Sequence, residues 1–467
     1  VNRLLTALRD SSVLRSAAAL YGSTVVTAGL GFAFWAVAAR LTSPAEVGSA
    51  AAAISAMQLV GSFCTFGLGS LLIAELARRP AGAVRVVSAS LAVSTVAGFA
   101  LAYALAAVAG GLLGVGGPLF TTWAGQLLFA LGVAGHAATS VLDLALVGAR
   151  LSGRQLLRNT VFAVAKLALL PVGAAVAGLS ASWIYAAWLA GTVLSVGAVL
   201  ARSTRPRRWL RPPAGPSALR GLGGQAAGHH VINVSAHAPS LVLPMIVATV
   251  LHPVDNAGFY LALQIAGFAW AVSVHLSTAL FAVSAGDTGR LRRELLVAMR
   301  VSLLVTAAGV AGSLLLGSWA LGILGPAYVP AAPALTLLFA ASLPSAVKAL
   351  YIAVCRVQGR LRLAAGSVLA GSALEIALGA AGARWGVTGV ATGFLLATVL
   401  QAAAMWPRVA AAAGYRLRRR PPKPSTSDAS GDPEDGVAGD VAGDVTGDVV
   451  DDAAARPAKE PAEVRHA

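Results

Sequence analysis

Arginine falls in every second gap between long apolar stretches, and that pattern leaves few folds open. Apolar runs of about 20 residues, the length a helix needs to cross a hydrocarbon core, follow one another from Ala17 to Trp406. One set of gaps holds Arg78, Arg79 and Arg85, then Arg150, Arg154 and Arg158, then six arginines from Arg202 to Arg220. The set continues with Arg290, Arg292, Arg293 and Arg300, and ends with Arg356, Arg360 and Arg362. The alternate gaps hold only Arg40 and Arg384. Cytoplasmic loops of membrane proteins carry the Lys/Arg excess. The expectation is an all-α polytopic membrane protein with twelve helices and both termini in the cytoplasm. Arg outnumbers Lys 31 to 4 and Ala is abundant, which suggests a bacterial plasma membrane.

The predicted spans are 17–39, 47–74, 86–109, 119–147, 160–177 and 183–200 in the first half. In the second they are 231–251, 257–285, 295–321, 334–354, 363–383 and 386–406. Arg3, Arg9 and Arg15 precede a first span with no clear small-residue cleavage site, so that span is expected to stay as an anchor. A chain that is 57% hydrophobic and 12% charged is not a soluble globule. Its formal charge of +16 is spread over loops, where it meets anionic membrane lipids. No nucleic-acid partner is expected.

Four segments follow: a six-helix lobe over 1–201, a basic Pro-rich linker over 202–228, a second lobe over 229–410 and a tail over 411–467. The lobes look like copies. Leu41-Thr-Ser-Pro-Ala-Glu-Val-Gly48 follows the first span, and Leu251-His-Pro-Val-Asp-Asn-Ala-Gly258 follows the seventh. Gly153-Arg154 and Gly359-Arg360 repeat at nearly the same offset. Six helices per copy give a parallel repeat about an axis normal to the membrane, a known transporter arrangement. The tail is polar and carries a Gly-Asp-Val beat from Gly439, so it is expected to be disordered.

The sequence carries no phosphate-binding loop, dinucleotide fingerprint or zincin motif. No enzyme activity, cofactor or metal is expected. Polar residues inside spans are what remain, and these tend to face a bundle interior or a wet cavity. Asp143 and Lys166 sit at similar depth on adjacent antiparallel spans, and Lys348 can reach Glu375. Either these pairs pin helices within each lobe, or one or more of the four groups line a lumen and meet substrate or a coupling ion. His230, Asn233 and His237 share one helical face, and His275 lies in the next span. At an offset of 210, Asn233, His237 and His275 match Ser23, Thr27 and Thr65. Spans 1, 2, 7 and 8 are therefore expected to line a cavity, with these histidines, Asn233, Lys166 and Lys348 binding substrate.

The stretch Arg40-Leu-Thr-Ser-Pro-Ala-Glu-Val-Gly48 resembles the loop after helix 1 in polysaccharide and lipid-linked oligosaccharide flippases of the multidrug/oligosaccharidyl-lipid/polysaccharide exporter superfamily. Leu324-Gly-Pro-Ala-Tyr328, Val357-Gln-Gly-Arg360 and Trp385-Gly-Val-Thr-Gly-Val-Ala391 resemble that family's second half. The resemblance implies two lobes around a V-shaped cavity and transport by alternating access. It implies a polyprenyl-diphosphate-linked sugar as substrate, with a polysaccharide polymerase or glycosyltransferases as partners. Two other readings stand beside it: a cation-coupled multidrug antiporter of the same superfamily, and a non-transporting scaffold of a polysaccharide assembly complex. The antiporter would need an unpaired lumen carboxylate, for which Asp143 qualifies only if Lys166 does not pair with it.

Overall fold

The computed structural model describes residues 29–78, 83–112, 117–149, 151–176, 178–202, 223–283 and 288–414. The polar tail, most of the linker, and Ser23 and Thr27 lie outside these residues. The first half contains α1 (Gly29–Leu41), α2 (Pro44–Phe63), α3 (Leu68–Arg78), α4 (Ala83–Ala107), α5 (Trp123–Gly148), α6 (Ser152–Val176) and α7 (Ala181–Ala201). The second contains α8 (Gly223–Ile246), α9 (Pro253–Val283), α10 (Thr288–Leu324), α11 (Ala332–Ala340), α12 (Ser342–Val357), α13 (Leu361–Gly382) and α14 (Gly386–Ala412). With α2–α3 and α11–α12 each counted as one broken pass, the described residues make twelve passes. All belong to one compact unit.

The helices start where local chemistry favours it. Ser43 caps α2 with Pro44 in the first turn, Thr122 caps α5, and Ser180 caps α7. Each side chain accepts a backbone N–H that a helix start would otherwise leave unpaired. The two repeated loops lie at the arginine-poor end. There Glu46 accepts from the Ala181 N–H at 2.5 Å, while its repeat equivalent Asn256 donates to the Gly48 carbonyl at 2.7 Å.

Three boundaries differ from the sequence reading. First, α8 begins at Gly223, so the last residues of the expected linker are helical. Second, α10 is 37 residues long, about 55 Å at 1.5 Å per residue. It overshoots a hydrocarbon core of about 30 Å, so Arg292, Arg293 and Arg300 stand on helix rather than in a loop. Third, the second and tenth passes are broken. The chain between α2 and α3 turns through Phe66 (φ 48°) and Gly67 (φ 71°), and positive φ is uncommon for a side chain like phenylalanine. Pro344 near the start of α12 has no N–H to give to the carbonyl of Ala340.

The main apolar core draws on both lobes. Phe34, Trp35, Ile54 and Tyr185 come from the first, and Phe259, Tyr260, Tyr328 and Phe394 from the second. Small residues let helices approach closely, as is usual inside membranes. A Cβ at Gly132 would collide with the Tyr185 ring, whose hydroxyl donates to the Phe129 carbonyl at 2.9 Å.

Candidate functional site

The lobes touch backbone to backbone at the arginine-poor end. A Cβ added at Gly48 would lie 1.7 Å from the Pro253 carbonyl oxygen and 3.0 Å from the Ala257 nitrogen. Trp35 of α1 meets Tyr260 of α9 edge-on, with ring centroids 4.8 Å apart. Arg40 donates to the Ile323 carbonyl from the opposite lobe. Glycine at position 48 is what permits the first of these contacts.

A cavity of about 320 Å³ lies beyond this seal, near mid-depth. Gln58, Ser62 and His136 reach it from the first lobe; His237, Tyr260, Gln264 and Trp270 reach it from the second. A groove of about 270 Å³ continues toward the arginine-bearing end between α2, α5 and α8. Thr65 and Gly67, at the break after α2, line it together with Ser140, His230 and Asn233. The geometry of α8 follows from Pro239 and Pro244 within it. Each proline removes one helical hydrogen bond, and Pro239 itself borders the space within the second lobe. His237 Nδ1 lies 2.9 Å from the Asn233 carbonyl, and Ser240 donates to the His237 carbonyl at 2.7 Å.

A third space, about 390 Å³, lies within the second lobe between α8, α9, α12, α13 and α14. Here Asn233, His237, His275, Lys348 and Glu375 come together with Arg356. Lys348 Nζ donates to both Glu375 oxygens, at 2.7 and 3.1 Å. Arg356 donates to Asn233 Oδ1 at 3.0 Å. His237 borders all three spaces.

The first lobe departs from expectation. Asp143 does not pair with Lys166. Both its oxygens accept from Arg158, at 2.5 Å each, and Arg158 also donates to the Asn159 side chain. Lys166 is buried away from every cavity described above. Its ammonium lies 3.6 Å from the centroid of the Trp188 ring, 4.6 Å from Phe162 and 4.7 Å from Phe34. Cation–π attraction takes the place of the expected carboxylate. Depth alone misled the sequence reading, because a long arginine near the membrane edge can extend inward to a carboxylate. Asp143→Asn is therefore expected to cost several kcal/mol, since Arg158 keeps its charge without a partner. Thermal unfolding should show that Asp143→Asn with Arg158→Gln recovers stability, whereas Asp143→Asn with Lys166→Met does not. Recovery by the Lys166 variant instead would refute this pairing.

Sequence reasoning missed Gln58, Gln264, Tyr260 and Trp270 as lining residues. The two glutamines carried a signal, being uncharged amides inside apolar spans. The described residues hold no cluster of His, Cys, Asp and Glu able to bind a metal.

No protein-family model and no curated protein matches this sequence. Solved structures do match. An inward-facing multidrug resistance MATE family transporter of the MOP superfamily superposes with a TM-score of 0.65 at 14% identity, over 84% of this chain and 96% of that one. An outward-facing structure of such a transporter gives 0.61 at 14% identity, over 87% and 98%. A MOP superfamily transporter from Pyrococcus furiosus, described as having a binding pocket of reverse polarity and a different function, gives 0.60 at 14% identity, over 86% and 96%. The chain thus has the two-lobe, twelve-pass fold of these transporters.

These likenesses overturn the flippase reading. The first two structures are multidrug transporters, and they favour the antiporter alternative over a carrier of lipid-linked oligosaccharide. The polyprenyl-diphosphate sugar, the polymerase and the glycosyltransferases fall with it. A physical reason agrees: the two lysines expected to meet a diphosphate are engaged elsewhere, Lys166 by rings and Lys348 by Glu375.

Proposed function

We propose that this protein is an alternating-access antiporter that moves small amphipathic organic molecules across a membrane in exchange for a cation. The observation that carries this reading is the mid-depth cavity, built by both lobes and bounded on one side by the Gly48–Pro253 contact. Parting the lobes at that contact while the groove closes would expose the same cavity to the other side. The arginine pattern assigns the sealed end to the outside and the groove to the cytoplasm. The cavity walls combine amides, two histidines and aromatic rings with no acidic or basic group besides the histidines. Such a lining suits an apolar body held by a few hydrogen bonds, and the volume falls in the range typical of small-molecule sites. Asp143 lines none of the three spaces, so we assign coupling to Glu375, which borders the space within the second lobe together with its partner Lys348.

The purified protein in liposomes is expected to accumulate an amphipathic dye against its gradient when a proton or sodium gradient is imposed. An ionophore should abolish the accumulation. His237→Ala combined with Gln264→Ala should lower the flux about tenfold while leaving protein abundance near normal. Absence of gradient-driven flux across a panel of cationic, neutral and zwitterionic dyes, with the protein folded, would overturn the reading.

A further inference from the structure

The space inside the second lobe has an unbalanced charge. Lys348 and Glu375 neutralise each other, and Glu375 spends both oxygens on the lysine. That leaves Arg356. Its hydrogen-bond partner is the neutral amide of Asn233. Its Nε is buried without any hydrogen-bond partner, and among the described residues no carboxylate forms an ion pair with it. A guanidinium has five N–H donors in a planar fork, shaped for two parallel bonds to a carboxylate. Arg356 stands in the last turn of α12, among the arginines of a cytoplasmic gap, yet its guanidinium turns onto this space and onto Asn233.

The rest of the space supplies what such a head would carry. Trp270 and Phe394 form an aromatic wall, with ring centroids 5.6 Å apart. Trp270 is fixed by donating to the Leu338 carbonyl at 3.3 Å. Ile232, Ala236, Pro239 and Ile352 complete the apolar lining. The volume of about 390 Å³ accommodates a body of two fused rings, and the space shares His237, Ser240, Gly267 and Trp270 with the interlobe cavity.

We propose that this space is a binding subsite for amphipathic organic acids, with Arg356 taking the carboxylate and Trp270 and Phe394 taking the ring body. Its meaning as a substrate subsite rests on the transport reading, but its occupancy does not. Zwitterionic or acidic amphiphiles become the preferred cargo, and a purely cationic one is disfavoured here by Arg356. Anionic lipid headgroups share the head chemistry but arrive on two acyl chains, for which the ring-lined wall is not shaped.

The test is titration calorimetry on the full chain in phosphatidylcholine nanodiscs, with 2-naphthoate and its uncharged partner 2-naphthamide. The acid is expected to bind at least tenfold tighter than the amide. Arg356→Gln should erase that preference while amide binding remains measurable, which also reports that the pocket is folded. Arg356→Lys should keep part of it, because a point charge remains but the fork is lost. Equal affinities for acid and amide in the unmodified protein would overturn the proposal, as would an acid preference that survives in Arg356→Gln. Loss of naphthoate binding in nanodiscs containing phosphatidylglycerol would assign the site to a lipid headgroup and overturn the soluble acid. Failed acid preference with intact liposome flux removes this inference alone; absent flux with intact preference removes the transport reading alone.

Discussion

Replacing Gly48 with alanine is expected to pry the lobes apart at their arginine-poor end. The added methyl would overlap the Pro253 carbonyl, at 1.7 Å, and press on the Ala257 nitrogen, at 3.0 Å. Both neighbours are backbone, so no side chain can rotate out of the way. Overpacking typically costs about 1–3 kcal/mol, and each 1.4 kcal/mol is roughly a tenfold change in population. The cost falls only on the conformation in which these loops touch, so the protein should populate the opposite-facing state instead. Spin labels at positions 45 and 255, with Cys64 and Cys355 replaced by alanine, would measure it. The short distance should give way to a longer one, and dye flux should fall. An unchanged distance distribution in a folded Gly48→Ala protein would mean that this contact is not the seal.

Separating Lys348 from Glu375 is the second large effect. Glu375 is fully buried and Lys348 nearly so, and the pair crosses from α12 to α13. Removing one partner strands a buried charge, which costs roughly 3–5 kcal/mol. Lys348→Met and Glu375→Gln should each lower the unfolding midpoint sharply in detergent, and the double variant should regain most of the loss. If either single variant is as stable as the parent, the pair adds nothing to the fold. The assignment of Glu375 to coupling adds a further expectation: the double variant should fold yet carry dye without responding to the ion gradient.

The passes were legible because charge and hydropathy are properties of sequence distance alone. Arginines in alternate gaps count crossings whatever the helices later do. The breaks at Phe66–Gly67 and at Ala341 were not legible, since an apolar run reads the same whether straight or kinked. The reach of Lys348 to Glu375 could be foreseen because a lysine spans the offset in depth. The partner of Asp143 could not, because rotational phase decides between Lys166 and Arg158, and apolar periodicity is weak in a helix surrounded by apolar groups. The polar face of α8 was visible in the spacing of His230, Asn233 and His237. The residues facing it from α2, α5 and α9 depend on how the lobes dock, which no local pattern encodes. The flippase reading failed for another reason. Its motifs lie in turns and helix starts, one of them at the Gly48 contact between lobes, and such segments report a fold rather than a cargo.

The Trp35–Tyr260 contact bears on how the chain is made. Trp35 leaves the ribosome in the first pass, while its ring partner belongs to the eighth. At about 5–20 residues per second, roughly 10–50 s of synthesis separates the two. Through that interval Trp35 has only the rings of its own lobe, Phe34 and Trp188, and the edge that Tyr260 will cover stays open. The six helices translated first are therefore a half-finished object, and the ring that completes them is delivered by the second lobe.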